Sequence, residues 1–295
     1  MHVTREIDAQ PEAWRRALAL LPVVQHALPS PGERVAVIGC GTSWFMAEAY
    51  ATIREDAGLG ETDFYTATSL PAGRVYDRVL AITRSGTTTE VIDALRHVGD
   101  HSGARRTTIT TSAALPVADV SEDVIVLDFA DEESVVQTVF ATTTLMLLRA
   151  SLGEDLTGVM RQAEQVLAQA LPAGALEAGQ YTFLGQGWAH GIAREAALKM
   201  REAAQLWTES YPQMEYRHGP IAIAEPGRVV WVFGEAVPGL LDDVAATGAS
   251  IVCDPLDPVA DLVRAQRLAV ETAELLGLDP DRPRHLTRSV VLTPR

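Results

Sequence analysis

The sequence predicts an α/β protein of parallel sheets flanked on both faces by helices, arranged as two tandem modules. Three observations carry this expectation. Short β-branched runs alternate with helical stretches, and continuous apolar runs of this kind mark parallel strands covered on both faces. Two of the runs end in turns dense with small and hydroxyl residues, Val35 to Ser43 (VAVIGCGTS) and Leu80 to Glu90 (LAITRSGTTTE). The same order of strand, glycine turn and helix then restarts at Tyr181 to Gly187 (YTFLGQG), a repeat of pattern more than of identity.

Along the chain, Glu12 to Leu28 reads as an amphipathic lead-in helix stopped by Pro29 and the Pro31-Gly32 turn. Strands are expected at Val35–Cys40, Asp63–Ala67, Val79–Thr83, Thr107–Thr110 and Val124–Phe129, followed by helices over Glu133–Ser151 and Gly158–Ala170 and a Pro172-Ala-Gly174 break. The second half offers a strand at Tyr181–Gly187, a long helix from about His190 to Trp207, a loop over Thr208–Pro220 and a strand at Val229–Phe233. A further helix, a strand at Ser250–Cys253 and a final helix near Val259–Leu276 complete it. The expected division is a lead-in over 1–31, a first domain over 32–172, and a shorter second domain with a carboxy-terminal tail over 173–295.

With 39 acidic residues against 24 Lys and Arg, the formal net charge of −15 repels nucleic acid, and no basic run offsets it locally. The amino terminus has acids where a signal peptide needs a basic segment, and no stretch approaches a membrane span. The expected setting is therefore the cytoplasm, with neither nucleic acid nor membrane as partner. Cys40 and Cys253 each end an apolar run and read as small core residues rather than a disulfide or a thiolate site. No metal and no cofactor is expected.

Each hydroxyl turn stops a strand at a glycine and opens a helix, where free N–H groups and the helix dipole favour an anion. Thr83, Ser85, Thr87, Thr88 and Thr89 exceed the one or two hydroxyls that capping requires. Neither turn has the Lys of a Walker loop, and GCGTS lacks the third glycine of a dinucleotide fingerprint. A small phosphorylated metabolite fits better than ATP or NAD. In the second half, Glu195, Lys199 and Glu202 fall at i, i+4 and i+7, a helical stripe about 60° wide. Such a stripe is either a solvated ion-pair face or the edge of a cleft where a carboxylate moves protons. The following loop holds His218 before Gly219-Pro220, a candidate acid or base.

These residues carry a resemblance. REIDAQP at Arg5 to Pro11, GCGTS, TRSGTTTE, VVQTVFATT at Val135 to Thr143, EAALKMRE at Glu195 to Glu202, RHGP at Arg217 to Pro220 and DRPRHLTRSV at Asp281 to Val290 are similar, in order, to motifs of the sugar isomerase (SIS) family. The similarity is greatest to the isomerase half of glucosamine-6-phosphate synthase and to related amino-sugar phosphate deaminases and ketose/aldose isomerases. The resemblance implies phosphate contacts from Ser43, Thr83, Ser85 and Thr88, Thr83 replacing a Ser, and further substrate contacts from Arg84, which replaces a Gln, and from Val135 and Gln137. It places the C1/C2 proton-moving base at Glu202 and ring opening at His218, with Glu195 and Lys199 as polar neighbours. It further implies a homodimer with shared active sites, since the histidine in that family comes from the partner subunit.

Two departures matter. The sequence begins Met1-His2 where the synthase has a glutaminase domain before this module, so neither a glutaminase domain nor glutamine-derived ammonia is expected. The tail lysine that forms an imine in the synthase is matched by Arg288, a guanidinium that stays protonated and cannot be that nucleophile; it is expected instead to bind the anionic substrate as a charge in the tail. The expected activity is metal-free aldose/ketose isomerisation of a phosphosugar, an amino-sugar phosphate losing ammonia being the first choice. Isomerisation of a non-amino hexose phosphate and non-catalytic phosphosugar sensing are the alternatives.

Overall fold

In the computed structural model, which describes residues 1–292, the β-branched runs form strands. Val35–Gly39 and Arg78–Ile82 are buried at every position. Residues 293–295, the end of the expected second domain, lie outside the described residues. In chain order the elements are α1 His2–Asp8, α2 Gln10–Val24, β1 Val35–Gly39, α3 Thr42–Asp56, β2 Thr62–Thr66, β3 Arg78–Ile82, α4 Thr89–His101, β4 Arg105–Thr110 and β5 Asp123–Val126. There follow α5 Val139–Ser151, α6 Thr157–Ala168, β6 Gln180–Gly185, α7 Ala189–Ala204, β7 Thr208–Pro212, α8 Gln213–Tyr216, β8 Arg228–Phe233, α9 Leu240–Ala245, β9 Ser250–Val252 and α10 Pro258–Leu275.

The contacts divide the chain into two units that are discontinuous in sequence. One comprises Glu12–Glu133, Val139–Leu156 and Thr287–Arg295; the other comprises Met1–Pro11, Ser134–Thr138 and Thr157–Leu286. The first holds a five-stranded parallel sheet in the order β2-β1-β3-β4-β5. Ala36 and Ile38 of β1 and Val79 and Ala81 of β3 pack on Val91, Leu95 and Val98 of α4, whereas α3 packs on β1 and α5. Trp14 of α2, fully buried, donates its indole N–H to the Thr142 hydroxyl of α5 at 3.1 Å.

The second unit holds a four-stranded parallel sheet, β7-β6-β8-β9. Leu184, Val230 and Val232 face Leu240 and Val244 of α9. The buried rings of Tyr181, Phe183, Trp231 and Phe233 pack as neighbours on β6 and β8, their centroids 6.2 to 6.3 Å apart. There the Trp231 indole N–H donates 2.8 Å to Asp261, a buried carboxylate of α10 also bonded by Arg264 at 2.9 Å. Helix α10 packs in turn on α1, α6 and α7.

Some local expectations change. The expected loop from Thr208 begins with β7, because a strand at the sheet edge tolerates the polar Thr-Glu-Ser-Tyr sequence and its terminal Pro212. The helix expected from Glu133 starts at Val139, whose N–H is held by the Glu132 carboxylate at 2.8 Å, so residues 133 to 138 lead into the helix instead of joining it. Cys40 and Cys253 stand just beyond the ends of β1 and β9, half-buried and each packed against the core of its unit; burial pushes both thiols' pKa values up. No described helix is long and apolar enough to cross a membrane.

Candidate active site

Strands β1 and β3 are adjacent and parallel, and the chain leaves them toward opposite sides of the sheet, so the two hydroxyl turns lie at the topological switch point. The first turn depends on its glycines. A Cβ on Gly39 would stand 2.7 Å from the Ser43 carbonyl carbon, and Gly41 has φ +55°. Ser43 is buried at the start of α3, its N–H bonded to the Cys40 carbonyl at 3.2 Å.

In the second turn the Ser85 and Thr88 hydroxyls lie 3.2 Å apart, Thr87 N–H donates to Ser85 Oγ at 3.3 Å, and Gly86 N–H to Thr83 Oγ1 at 3.3 Å. Thr88 is the residue that caps α4, yet its side chain makes no capping bond. The hydroxyl excess is thus directed elsewhere than to the helix's own amides. Arg84 is almost fully buried; one nitrogen lies 3.4 Å from Glu132 and another donates to the Arg288 carbonyl at 3.2 Å. Burial holds its pKa below the ordinary arginine value, with Glu132 opposing the shift. The Arg288 guanidinium pairs with Asp131 and donates to the Glu132 carbonyl.

The remaining expected residues belong to the other unit. Glu195 and Lys199 are each about 1% exposed and 3.5 Å apart, and Lys199 also bonds Glu202, whose side chain is 18% exposed. For Glu195 and Lys199 the solvated-face alternative is excluded. Helix geometry accounts for the arrangement, since residues three and four apart meet on one face and the flanking Ala196, Ala197, Met200 and Ala203 take the buried remainder. Glu202 borders an open cavity of about 400 Å³ together with Arg201, Trp207, Arg284 and His285. Burial lowers the Arg201 pKa, and the side chain donates to the Thr208 hydroxyl at 3.0 Å.

The sequence reading missed Trp207, Arg284 and His285. Gln205 and His285 have φ of +57° and +65°, left-handed conformations uncommon for residues other than glycine. Val135 and Gln137 lie in the short segment 134–138, where Ser134 N–H donates to Glu6 of the REIDAQP stretch at 3.2 Å. The Gln137 side-chain oxygen is buried without a hydrogen-bond partner among the described residues, a costly state that a polar ligand would relieve. His218 is exposed, its backbone N–H bonded to the Glu215 carbonyl at 3.0 Å.

The switch point of the second sheet, between β6 and β8, opens into a cavity of about 490 Å³ bordered by Gln186, Trp188 and Glu235, with no hydroxyl residue among the described residues that line it. The hydroxyl cradle therefore has no counterpart there. The expectation of no metal overlooks one pair, His97 and His101, a His-x-x-x-His on α4 whose rings stack 4.3 Å apart. Among the described residues no group of three or more His, Cys, Asp or Glu could hold a metal ion.

No family model matches the chain. Over 98% of its length it is 26% identical to a glutamine–fructose-6-phosphate aminotransferase (isomerizing) of Pyrobaculum aerophilum, of which the match covers 57%. The chain thus spans little more than half the length of that relative. Its fold is that of a glucosamine-6-phosphate deaminase from Thermotoga maritima, with TM-score 0.82, 24% identity and coverage of 99% of this chain and 100% of the other. It is equally that of a tagatose-6-phosphate ketose/aldose isomerase from Escherichia coli, with TM-score 0.81, 21% identity and coverage of 100% and 97%.

Proposed function

With these sugar isomerase family homologues as the premise, we propose that the chain is an enzyme moving a proton between C1 and C2 of a phosphosugar, an amino-sugar phosphate by first choice. The observation that carries this is the Glu195–Lys199–Glu202 group, in which a buried ammonium holds a carboxylate at the border of a cavity. Two buried charges without exposure to water are expensive to retain for stability alone. Glu202 takes the C2 proton of the open-chain aldose and returns it to C1, while His218 opens the ring. For an amino sugar, the transfer turns the C2 amine into a ketimine, which water hydrolyses to the ketose and ammonia. Thr83, Ser85, Thr88 and Ser43 hold the phosphate oxygens with charge-assisted hydrogen bonds. None of these steps calls for a metal or a cofactor.

The modules of this proposal are the sequence ranges 32–172 and 173–295 after a lead-in over 1–31. Two features support duplication: the shared strand order, β2-β1-β3-β4 against β7-β6-β8-β9, and the paired turns Gly39-x-Gly41 and Gly185-x-Gly187 with φ +55° at each second glycine. The exposed His218 suits a residue delivered to the partner's site in a homodimer, and the acidic surface suits a cytoplasmic enzyme. A non-amino hexose phosphate would use the same base. Ammonia release and ketose formation, assayed in parallel over a panel of amino and neutral hexose phosphates, separate the cases. Ketose with stoichiometric ammonia supports the deaminase, ketose from a neutral aldose alone supports the plain isomerase, and binding without turnover of any sugar leaves only the sensor.

A further inference from the structure

We propose that Arg84 and Glu132 are positioning residues, a clamp that seats tail residues 287–292 on the turn before α4 and makes the tail a working part of the anion site. The clause about the anion site rests on the function proposed above; the clamp itself rests on geometry within one unit. A guanidinium as buried as that of Arg84 must be paired and hydrogen-bonded to be tolerated. One of its partners is the Glu132 carboxylate, which is fixed from the other side by the Val139 N–H at 2.8 Å. Another is the backbone carbonyl of Arg288 in the tail, at 3.2 Å. The grip is returned, because the Arg288 side chain donates to the Glu132 carbonyl and pairs with Asp131.

Beyond this clamp the tail runs along the hydroxyl turn. Thr87 Oγ1 donates to Ser289 Oγ at 3.0 Å, Thr89 N–H to the Val290 carbonyl at 3.2 Å, and Leu292 N–H to Thr89 Oγ1 at 2.9 Å. The Val290 carbonyl thus satisfies an amide of the first turn of α4, whose own N-cap side chain does not. The excess hydroxyls of the turn divide into two sets. Those of Thr87 and Thr89 hold the tail, while among the described residues those of Thr83, Ser85 and Thr88 bond within the turn and are left for an anion. Arg84, on this assignment, orders the tail over the turn instead of contacting the anion.

Hydrogen exchange of the full-length chain, without any sugar, reads the clamp directly. In Arg84→Gln the amides of residues 288–292 and of Thr89 should exchange at least tenfold faster than in the parent, with the strands of the first sheet unchanged. Equal tail exchange in a folded Arg84→Gln protein overturns the clamp. Should that variant fail to fold, Thr87→Ala with Thr89→Ala removes two half-buried hydroxyls without stranding a charge and should accelerate tail exchange likewise; no acceleration overturns the seating. Inorganic phosphate then tests the coupling, since its dissociation constant should rise at least fivefold in the Thr87→Ala, Thr89→Ala protein, and an unchanged value overturns the tail's part in anion binding. Because neither readout needs turnover, a failed clamp and a failed enzyme assignment give different results.

Discussion

Replacing Lys199 by Met tests whether the buried ion group is as costly to break as its burial implies. The ammonium is about 1% exposed, Glu195 equally so at 3.5 Å, and Glu202 is bonded on the other side. Removing one partner of a buried pair leaves an uncompensated charge and costs about 3–5 kcal/mol. For a chain of this size, that lowers the thermal midpoint by on the order of 10 °C. Scanning calorimetry with urea unfolding measures the loss. Glu195→Gln added to Lys199→Met removes the stranded charge, so the double variant should recover at least about half of the stability lost by the single one. A single variant within about 1 kcal/mol of the parent would refute the reasoning, since that is the scale of a solvated surface pair.

Three further outcomes are expected. Burial pushes the Asp261 carboxyl up to about 6 from 3.8, so the folded protein binds the proton more tightly than the unfolded chain. Its contribution is full below about pH 4 and is lost as pH rises through 6, about 3 kcal/mol in all, and Asp261→Asn should flatten the urea-measured stability profile across that window. Ser85→Ala with Thr88→Ala should raise the Michaelis constant for the phosphorylated sugar at least tenfold with a smaller change in kcat, since each hydrogen bond to a charged group contributes about 1.5–3 kcal/mol; an unchanged constant would misplace the cradle. Mixed Glu202→Gln and His218→Ala chains, once subunit exchange is demonstrated, should regain part of the activity that each lacks alone, and full exchange without recovery would assign both residues to one subunit's site.

The central strands were legible because a parallel strand covered on both faces is apolar throughout, as β1 and β3 are. The edge strand β7 was not, since half-exposed Thr208–Pro212 has the composition of a loop until a neighbour supplies its hydrogen bonds. Helical spacing revealed that Glu195, Lys199 and Glu202 share a face, but not that the first two are buried, which depends on what packs against α7. The hydroxyl excess in the turn before α4 was visible in sequence as well. Its partition was not, because the contacts that divide it join residues about two hundred positions apart. Trp207, Arg284 and His285 meet Glu202 around one cavity that Gln205 also borders; Gln205 and His285 have left-handed backbones, and the residues come from segments about eighty positions apart.

The assignment of Glu202 as the proton-moving base is tested most directly by following deuterium from heavy water into C1 and C2 of the phosphosugar that proves to be turned over, with the parent and with Glu202→Gln. The substitution keeps the side chain's size and its contact with Lys199 while removing the basic oxygen. Substrate binding should stay near the parent value, turnover should fall by at least about a hundredfold, the scale of a lost general base, and deuterium incorporation should disappear with it. Incorporation and turnover at the parent's rates in Glu202→Gln would contradict the account.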